Sequence, residues 1–205
     1  MSLFITFEGG EGCGKSLQSA ALYRRLQRNS VPSVLIREPG GTPLGEKVRD
    51  ILKHSCEIEV SPLTELMLFN ASRSQLVSEV IKPSLNEGKV VVCDRFTDST
   101  LAYQSGGRGL DIKMVRQVNS FAAQGIIPDL VILLDVPPEI GIRRKGLIKN
   151  DRFDRETLEF HNRVRDTFIK LAKEDVNRWA VIDATLSIEA IGDIIWGKVS
   201  DSIER

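Results

Sequence analysis

The chain has 205 residues, 28 of them basic and 28 acidic, a length that fits one domain, 1–205, able to bury well over half of its unfolded surface in a single core. The balanced charge offers no basic excess of the kind that nucleic-acid or membrane-surface binders show, so neither partner is expected. Three cysteines, Cys13, Cys56 and Cys93, fall in no paired or metal-ligand spacing; with an N-terminus that lacks a leader and no apolar run near the ~18 residues of a membrane span, they predict a soluble cytoplasmic protein.

Short β-branched or aliphatic runs alternate with longer stretches of helical period. A first strand is predicted over Leu3–Phe7 and a helix over Lys15–Arg28. Strand Ser33–Arg37, helices Leu44–His54 and Pro62–Asn86, strand Lys89–Cys93 and helix Ile112–Gln124 follow. The chain then reads as strand Leu130–Asp135, helices Pro138–Lys145 and Asp154–Asp175, strand Trp179–Asp183 and helix Ser187–Ile203. Several strands are apolar throughout, as strands covered on both faces are. Alternating β and α elements imply right-handed crossovers and an α/β fold with a five-stranded parallel sheet flanked by helices. The weakest stretch for regular structure, Gly146–Arg152, reads as a mobile loop.

Between the first strand and the first helix stands Gly9-Gly10-Glu11-Gly12-Cys13-Gly14-Lys15-Ser16, which matches G-x-x-x-x-G-K-[ST] at every fixed position and in the required context. Its glycines let successive N–H groups turn inward on phosphate oxygens, and the helix N-terminus adds a favourable dipole. Lys15 then serves the β- and γ-phosphates and Ser16 is a ligand for Mg²⁺. Cys13 reads as a small filler, not a nucleophile. The motif identifies a nucleoside triphosphate site but not a reaction, because GTPases, motor and transport ATPases and small-molecule kinases share it. No N-K-x-D stretch is present to read guanine, and the strand that ends in Asp135 continues as Val-Pro-Pro, which cannot serve as a GTPase switch.

Other stretches bear on the reaction. Asp94 and Arg95 stand at the carboxyl end of a predicted parallel strand, where open α/β sheets place ligands in a crevice. Phe69 and Arg73 lie one helical turn apart on one face, and an arginine beside an aromatic ring suits a planar base. With "REPGGTPLGEKVR" (Arg37–Arg49), "LFNASRSQ" (Leu68–Gln75), "DRFTDSTLAYQSGGRG" (Asp94–Gly109), "DRFDRETLEFHNRVR" (Asp151–Arg165) and the glycine-rich loop, the chain resembles the thymidylate kinases from about Leu3 to Asp183. That resemblance implies the three-layer P-loop nucleoside monophosphate kinase fold and transfer of the γ-phosphoryl group of ATP to dTMP, with Mg²⁺.

The resemblance also implies roles for particular residues. Phe69 matches the ring that stacks on thymine and Arg73 the arginine that meets a thymine carbonyl. Arg49 and Arg95 match residues that hold the dTMP phosphate, for which a fork of donors is suited. Ser99 and Thr100 correspond to small polar residues near the base, and Tyr103 and Gln104 to residues near sugar and base, the tyrosine blocking a ribose 2′-hydroxyl. Pro39 fits a tight turn, with Glu38 as a supporting acid. Glu11 is placed beside the sugar 3′-hydroxyl. Asp94 is either a water-mediated Mg²⁺ partner or the acid that holds Arg95, and Glu8 supports from the end of the first strand.

Some members of that family carry an arginine in the P-loop, and this chain has Gly10, Glu11, Gly12 and Cys13 at the variable positions. Positive charge is needed around a transferring phosphoryl group. The expected source is a lid at about 141–153, whose Arg143, Arg144, Lys145, Lys149 and Arg152 resemble the basic lid of the bacterial members, so Arg143, Arg144 and Arg152 join Lys15 and Arg95 as catalytic candidates. The resemblance implies a homodimer formed through helices, with Pro62–Asn86 as a candidate for one face. Two alternatives stand beside this reading: a kinase for another nucleoside monophosphate or deoxynucleoside, and a P-loop ATPase switch module.

Overall fold

The computed structural model describes residues 2–54, 59–146 and 152–203; Cys56 and Lys149 lie outside the described residues, as does most of the expected loop Gly146–Arg152. Five strands, β1 (Leu3–Glu8), β2 (Ser33–Arg37), β3 (Val90–Asp94), β4 (Leu130–Asp135) and β5 (Trp179–Asp183), form one parallel sheet in the order β2-β3-β1-β4-β5. The strands sit within a residue or so of their predicted bounds. Their apolar runs are explained by coverage on both faces. Ile5, Phe7, Val92, Ile132 and Leu134 pack on α1 (Lys15–Arg28) and α9 (Ile188–Ile203). The alternate residues Phe4, Val91 and Cys93 and, farther along, Val131 and Leu133 face the opposite layer. That layer is built from α3 (Pro62–Leu76), α6 (Ile112–Ala123) and α8 (Leu158–Glu174), and a period-two split of this kind makes three layers.

Register brings the carboxyl ends together. Phe7 pairs with Asp94, Arg37 with Asp94, and Glu8 with Leu133. Loops leaving β1, β2 and β3 therefore border one crevice, the usual ligand position in a sheet of this type.

Helix α2 (Pro43–His54) follows β2, and α7 (Pro138–Lys145) follows β4. The predicted helix Pro62–Asn86 is continuous but not uniform. Between α3 and α4 (Lys82–Asn86), residues Val77–Ile81 form a π-helical turn in which the Lys82 N–H reaches the Val77 carbonyl. Pro83 accounts for it, since a proline cannot donate to the carbonyl four residues back and its ring crowds that carbonyl.

Two elements differ from expectation. After β3 the chain forms α5 (Thr97–Thr100) and then a π-helical turn, Leu101–Gly107, in a stretch for which no regular element is predicted. Here glycine serves close approach, because a Cβ on Gly107 would stand 2.5 Å from the Phe160 ring of α8. The helix expected from Asp154 begins instead at Leu158, where Thr157 caps it by accepting the Phe160 N–H at 3.3 Å. Arg152–Arg155 forms a separate 3₁₀ turn.

Candidate active site

The crevice opens into a cavity of about 470 Å³. One end is the loop from β1 to α1. Gly12 adopts φ +67°, and a Cβ there would lie 1.9 Å from the Gly141 carbonyl oxygen. A Cβ on Gly141 would in turn meet the Glu11 carbonyl at 2.2 Å. The loop thus rests directly on the backbone of α7, the helix that leads into the basic segment. Helix α1 starts at Lys15 with no side-chain cap and no acid in its first turn, which leaves its N-terminal dipole available to an anion.

Lys15 lies folded into the loop: its Nζ donates to the Gly9 and Gly10 carbonyls at 3.0 and 2.6 Å and reaches Cys13 Sγ at 3.3 Å. Cys13 is buried beneath the loop, consistent with a filler that also touches the lysine. The Ser16 hydroxyl donates to Asp94 Oδ2. Of the two expectations for Asp94, the geometry joins it to the Ser16 position, while the Arg95 side chain goes elsewhere.

Arg95 is the centre of the cavity. Its backbone has φ +74°, a conformation rare for residues other than glycine and concentrated at functional sites. Bonds on either side fix it: Arg95 N–H donates to the Phe7 carbonyl at 3.0 Å, and the next N–H, of Phe96, donates to Glu8 Oε1 at 2.8 Å. So held, the guanidinium spans two elements. Nη1 donates to the Gly9 carbonyl and to Ser99 Oγ, each at 3.1 Å, and Nη2 to Glu11 Oε1 at 2.7 Å and the Tyr103 hydroxyl at 3.1 Å. Burial opposes the charge on Arg95, but Tyr103, Glu11, Asp94 and Glu8 around it hold it firmly protonated.

Glu11 is the acid that answers it. Oε1 also accepts from the Tyr103 hydroxyl at 2.8 Å, and Oε2 accepts from Lys145 Nζ at 3.1 Å. Although burial would raise its pKa, Arg95, Lys15 and Lys145 hold the Glu11 carboxyl well below the usual carboxylate range. Glu8, at the end of β1, is the opposite case. Burial and the nearby Asp98 charge push it up to about 8, against the hydrogen bond from Ser99. The two acids lie three residues apart and differ because one faces three cations and the other is walled in.

The other end of the cavity is aromatic. Phe69 on α3 and Tyr103 line it together with Phe153, whose ring centroid is 6.0 Å from that of Phe69 and 5.6 Å from that of Tyr103. Arg73 forms the floor and is 1% exposed. Its Nε and Nη2 donate to Glu38 Oε2 at 2.9 and 2.7 Å, Nη2 also to the Phe96 carbonyl, and Nη1 to Thr100, Asn119 and Asn70. Every N–H of Arg73 therefore has a protein acceptor, so it knits α3, the Glu38 turn and α5 into one floor. Burial raises the Glu38 pKa against the pull of Arg73, and Glu38 Oε1 is a buried oxygen with no hydrogen-bond donor. Thr100 lies on this floor, whereas Ser99 belongs with Arg95 and Glu8, farther from the base end than expected. Gln104 Nε2 is turned to Glu65 Oε1 at 2.8 Å. Arg49, on the side wall, donates to the Pro39 carbonyl at 2.9 Å and so fixes the turn that carries Pro39.

The lid candidates separate. Arg144 borders the cavity and donates to the Ala184 carbonyl, after β5, at 2.7 Å. Arg143 is exposed and outside the cavity lining. Arg152 is turned to Glu65, a fully buried carboxylate on α3 that also accepts from Arg108, so that the buried acid faces two guanidinium groups. Among the described lid cations, Lys145 contacts the P-loop at Glu11 and also bonds to Asp154.

Three residues of the site thus escape the sequence reading: Lys145 as the contact to Glu11, Phe153 as a wall, and Glu65. A signal for Glu65 was present, since Glu65, Phe69 and Arg73 recur at every fourth residue and share one helix face.

Comparison with known proteins gives the family. The family model described as thymidylate kinase matches residues 7–195. A thymidylate kinase of Dehalococcoides mccartyi is 55% identical over 186 residues, covering 91% of this chain and 89% of its own. One from Thermomicrobium roseum is 46% identical over 207 residues, covering 100% of this chain and 98% of its own. The crystal structure of thymidylate kinase from Ehrlichia chaffeensis superposes with a TM-score of 0.79 at 36% identity, covering 97% of this chain and 98% of that one.

Proposed function

The chain belongs to the thymidylate kinase family and phosphorylates dTMP to dTDP with ATP as donor, and on that premise we propose how its residues divide the reaction. One observation carries the assignment: Arg95 touches both the P-loop, at Gly9 and Glu11, and the helical segment of Ser99 and Tyr103, inside one cavity. A guanidinium so placed lies between a donor phosphate at the loop and an acceptor phosphate whose nucleoside extends toward Phe69.

In this reading the ATP phosphates occupy the loop from Gly9 to Ser16, with Lys15 turning from its carbonyl acceptors to the β- and γ-oxygens. Arg95 and Arg49 receive the dTMP phosphate. That acceptor has a second pKa of about 6, so it is mostly a dianion at neutral pH and needs no general base. An oxygen of dTMP forms the new bond to the γ-phosphorus as the bond to the ADP oxygen breaks, so alignment and positive charge are what the protein supplies. Glu11 sits beside the sugar 3′-hydroxyl and, by ion-pairing Arg95, keeps the fork in one orientation. Tyr103, pinned by Glu11 and Arg95, fills the space a 2′-hydroxyl would need. Phe69 carries the base, over the floor that Arg73 and Thr100 form. Arg144 and Lys145 lie on the donor side, and the lid at about 141–153 supplies charge over the transferring group.

The residues also fit Mg²⁺. Ser16 and Asp94 place two oxygens together on the cavity wall, and no cluster of three or more His, Cys, Asp or Glu able to hold an ion occurs among the described residues. Two protein oxygens with phosphates and water completing the shell is the habit of Mg²⁺ rather than of Ca²⁺ or Zn²⁺. Bound there, the ion would neutralise charge on the β- and γ-oxygens.

The protein works as a homodimer in the cytoplasm. Leu44 and Ile51 on α2, Leu63 and Met67 on α3 and Phe121 on α6 are exposed, and α3 packs between α2 and α6, so these apolar side chains lie on three neighbouring helices. Cys13 and Cys93 are both free and buried, in keeping with a reducing compartment. No helix among the described residues is long and apolar enough to cross a membrane.

The test is release of ADP from ATP and Mg²⁺ in a coupled assay. Turnover should depend on dTMP, and an equal rate without dTMP would refute the kinase reading.

A further inference from the structure

We infer that Phe153 closes the base end of the cavity and limits it to a pyrimidine, and that Glu65 holds Phe153 in place through Arg108 and Arg152. This deepens the proposed function and rests on its assignment of the base to Phe69.

The size argument comes from the two rings. Phe153 is buried and lines the cavity, its ring 6.0 Å from that of Phe69 and tilted by 48°. A base sandwiched between two parallel rings would need about 7 Å, two van der Waals layers. The space is too narrow and too tilted for that. A base lying on Phe69 therefore meets Phe153 at its edge, not across its face. A single six-membered ring ends at that wall; the fused second ring of a purine would run into it. Tyr103, edge-on to Phe153 at 89°, closes the corner.

Phe153 has little freedom to retreat. The guanidinium carbons of Arg108 and Arg152 stand 5.7 and 5.6 Å from its ring centroid, within reach of a cation–π contact. Both arginines end on the same buried carboxylate. Glu65 Oε1 accepts from Arg108 Nε at 3.1 Å, and Oε2 accepts from Arg108 Nη2 at 3.2 Å and from Arg152 Nη2. Arg108 also pairs with Glu156 at 2.6 Å, so the two cations face two acids. Glu65 is one turn before Phe69 on the same helix face. Helix α3 thus presents the stacking ring directly and positions the opposing wall through two arginines from distant parts of the chain. Glu65 and Arg152 are positioning residues, and Phe153 is the specificity element.

The experiment uses full-length protein with saturating ATP and Mg²⁺ and measures ADP release against dTMP, dGMP and dAMP for the wild type and for Phe153→Ala, Phe153→Leu, Glu65→Gln and Phe69→Ala. Opening the wall should move the kcat/KM ratio of dGMP or dAMP to dTMP by at least about tenfold toward the purine, more for alanine than for leucine, the scale on which pocket size discriminates. Glu65→Gln should shift the same ratio less, through KM rather than kcat, because it loosens the wall without touching the reacting phosphates. Thermal melts establish that each variant is folded, and Phe153→Leu carries the test if the alanine variant is not. An unchanged ratio in folded Phe153 variants, while Phe69→Ala raises the KM for dTMP, overturns the wall and leaves the base site standing. An unchanged dTMP KM in Phe69→Ala overturns both. A fall in kcat with a constant ratio in Glu65→Gln overturns the positioning role of Glu65.

Discussion

Replacing Arg95 by lysine isolates geometry from charge. Lysine keeps the positive charge at the centre of the cavity and tolerates the φ +74° backbone no better and no worse than arginine does. It does not keep the fork. Arg95 uses two nitrogens to meet four acceptors, Gly9 and Glu11 on one side and Ser99 and Tyr103 on the other; lysine directs its donors from a single nitrogen and cannot span both sides. Two charge-assisted bonds are lost, each worth about 1.5–3 kcal/mol. Water entering the cavity compensates in part, so the lower end, about 3 kcal/mol, is expected, which is a fall of about 100-fold in rate. In the ADP-coupled assay, Arg95→Lys should lower kcat/KM for dTMP by that factor and leave the KM for ATP within about threefold, because Lys15 and the loop amides are untouched. A dTMP kcat/KM within about threefold of wild type would refute the fork as the working feature. An equal loss on the ATP side would show that Arg95 supports the loop instead.

Glu8 predicts a pH dependence of stability. Its folded pKa is raised to about 8 while an ordinary glutamate titrates near 4.5, so the folded protein retains a proton that the unfolded chain has released. The stabilisation is complete below about pH 4.5 and is lost as pH rises through about 8, by up to about 1.4 kcal/mol per pH unit; Glu8→Gln should flatten that slope in melts from pH 5 to 8.5, and parallel slopes would refute it. For the homodimer, Met67→Asp places a charge among the exposed apolar side chains of α2, α3 and α6. Sedimentation should show dimer in the wild type and monomer in the variant, and a wild-type monomer at micromolar concentration would end the proposal.

Local patterns were legible where a motif is contiguous or periodic. The run from Gly9 to Ser16 specifies its own loop and the helix after it, and the apolar strands announce a sheet covered on both faces. Phe69 and Arg73 were readable because α-helical spacing places them on one face. The helix and π turn of Thr97–Gly107 were not, because the glycine pair that ends them is set by close packing against α8, a contact no local pattern announces. The partner of Arg152 was not legible for a related reason: a basic cluster in sequence names charges but not their partners, and Glu65 lies 87 residues away.

The sequence by itself determined the triphosphate loop, the order of β and α elements and the family, because each rests on neighbouring residues or short-range spacing. Only the tertiary structure decided that Asp94 meets Ser16, that Arg95 joins the two halves of the cavity, and that Lys145 reaches Glu11 while Arg152 turns to Glu65. Those choices depend on which buried acids need a counter-charge and which cations the folded chain brings within reach, and neither is a property of any one segment.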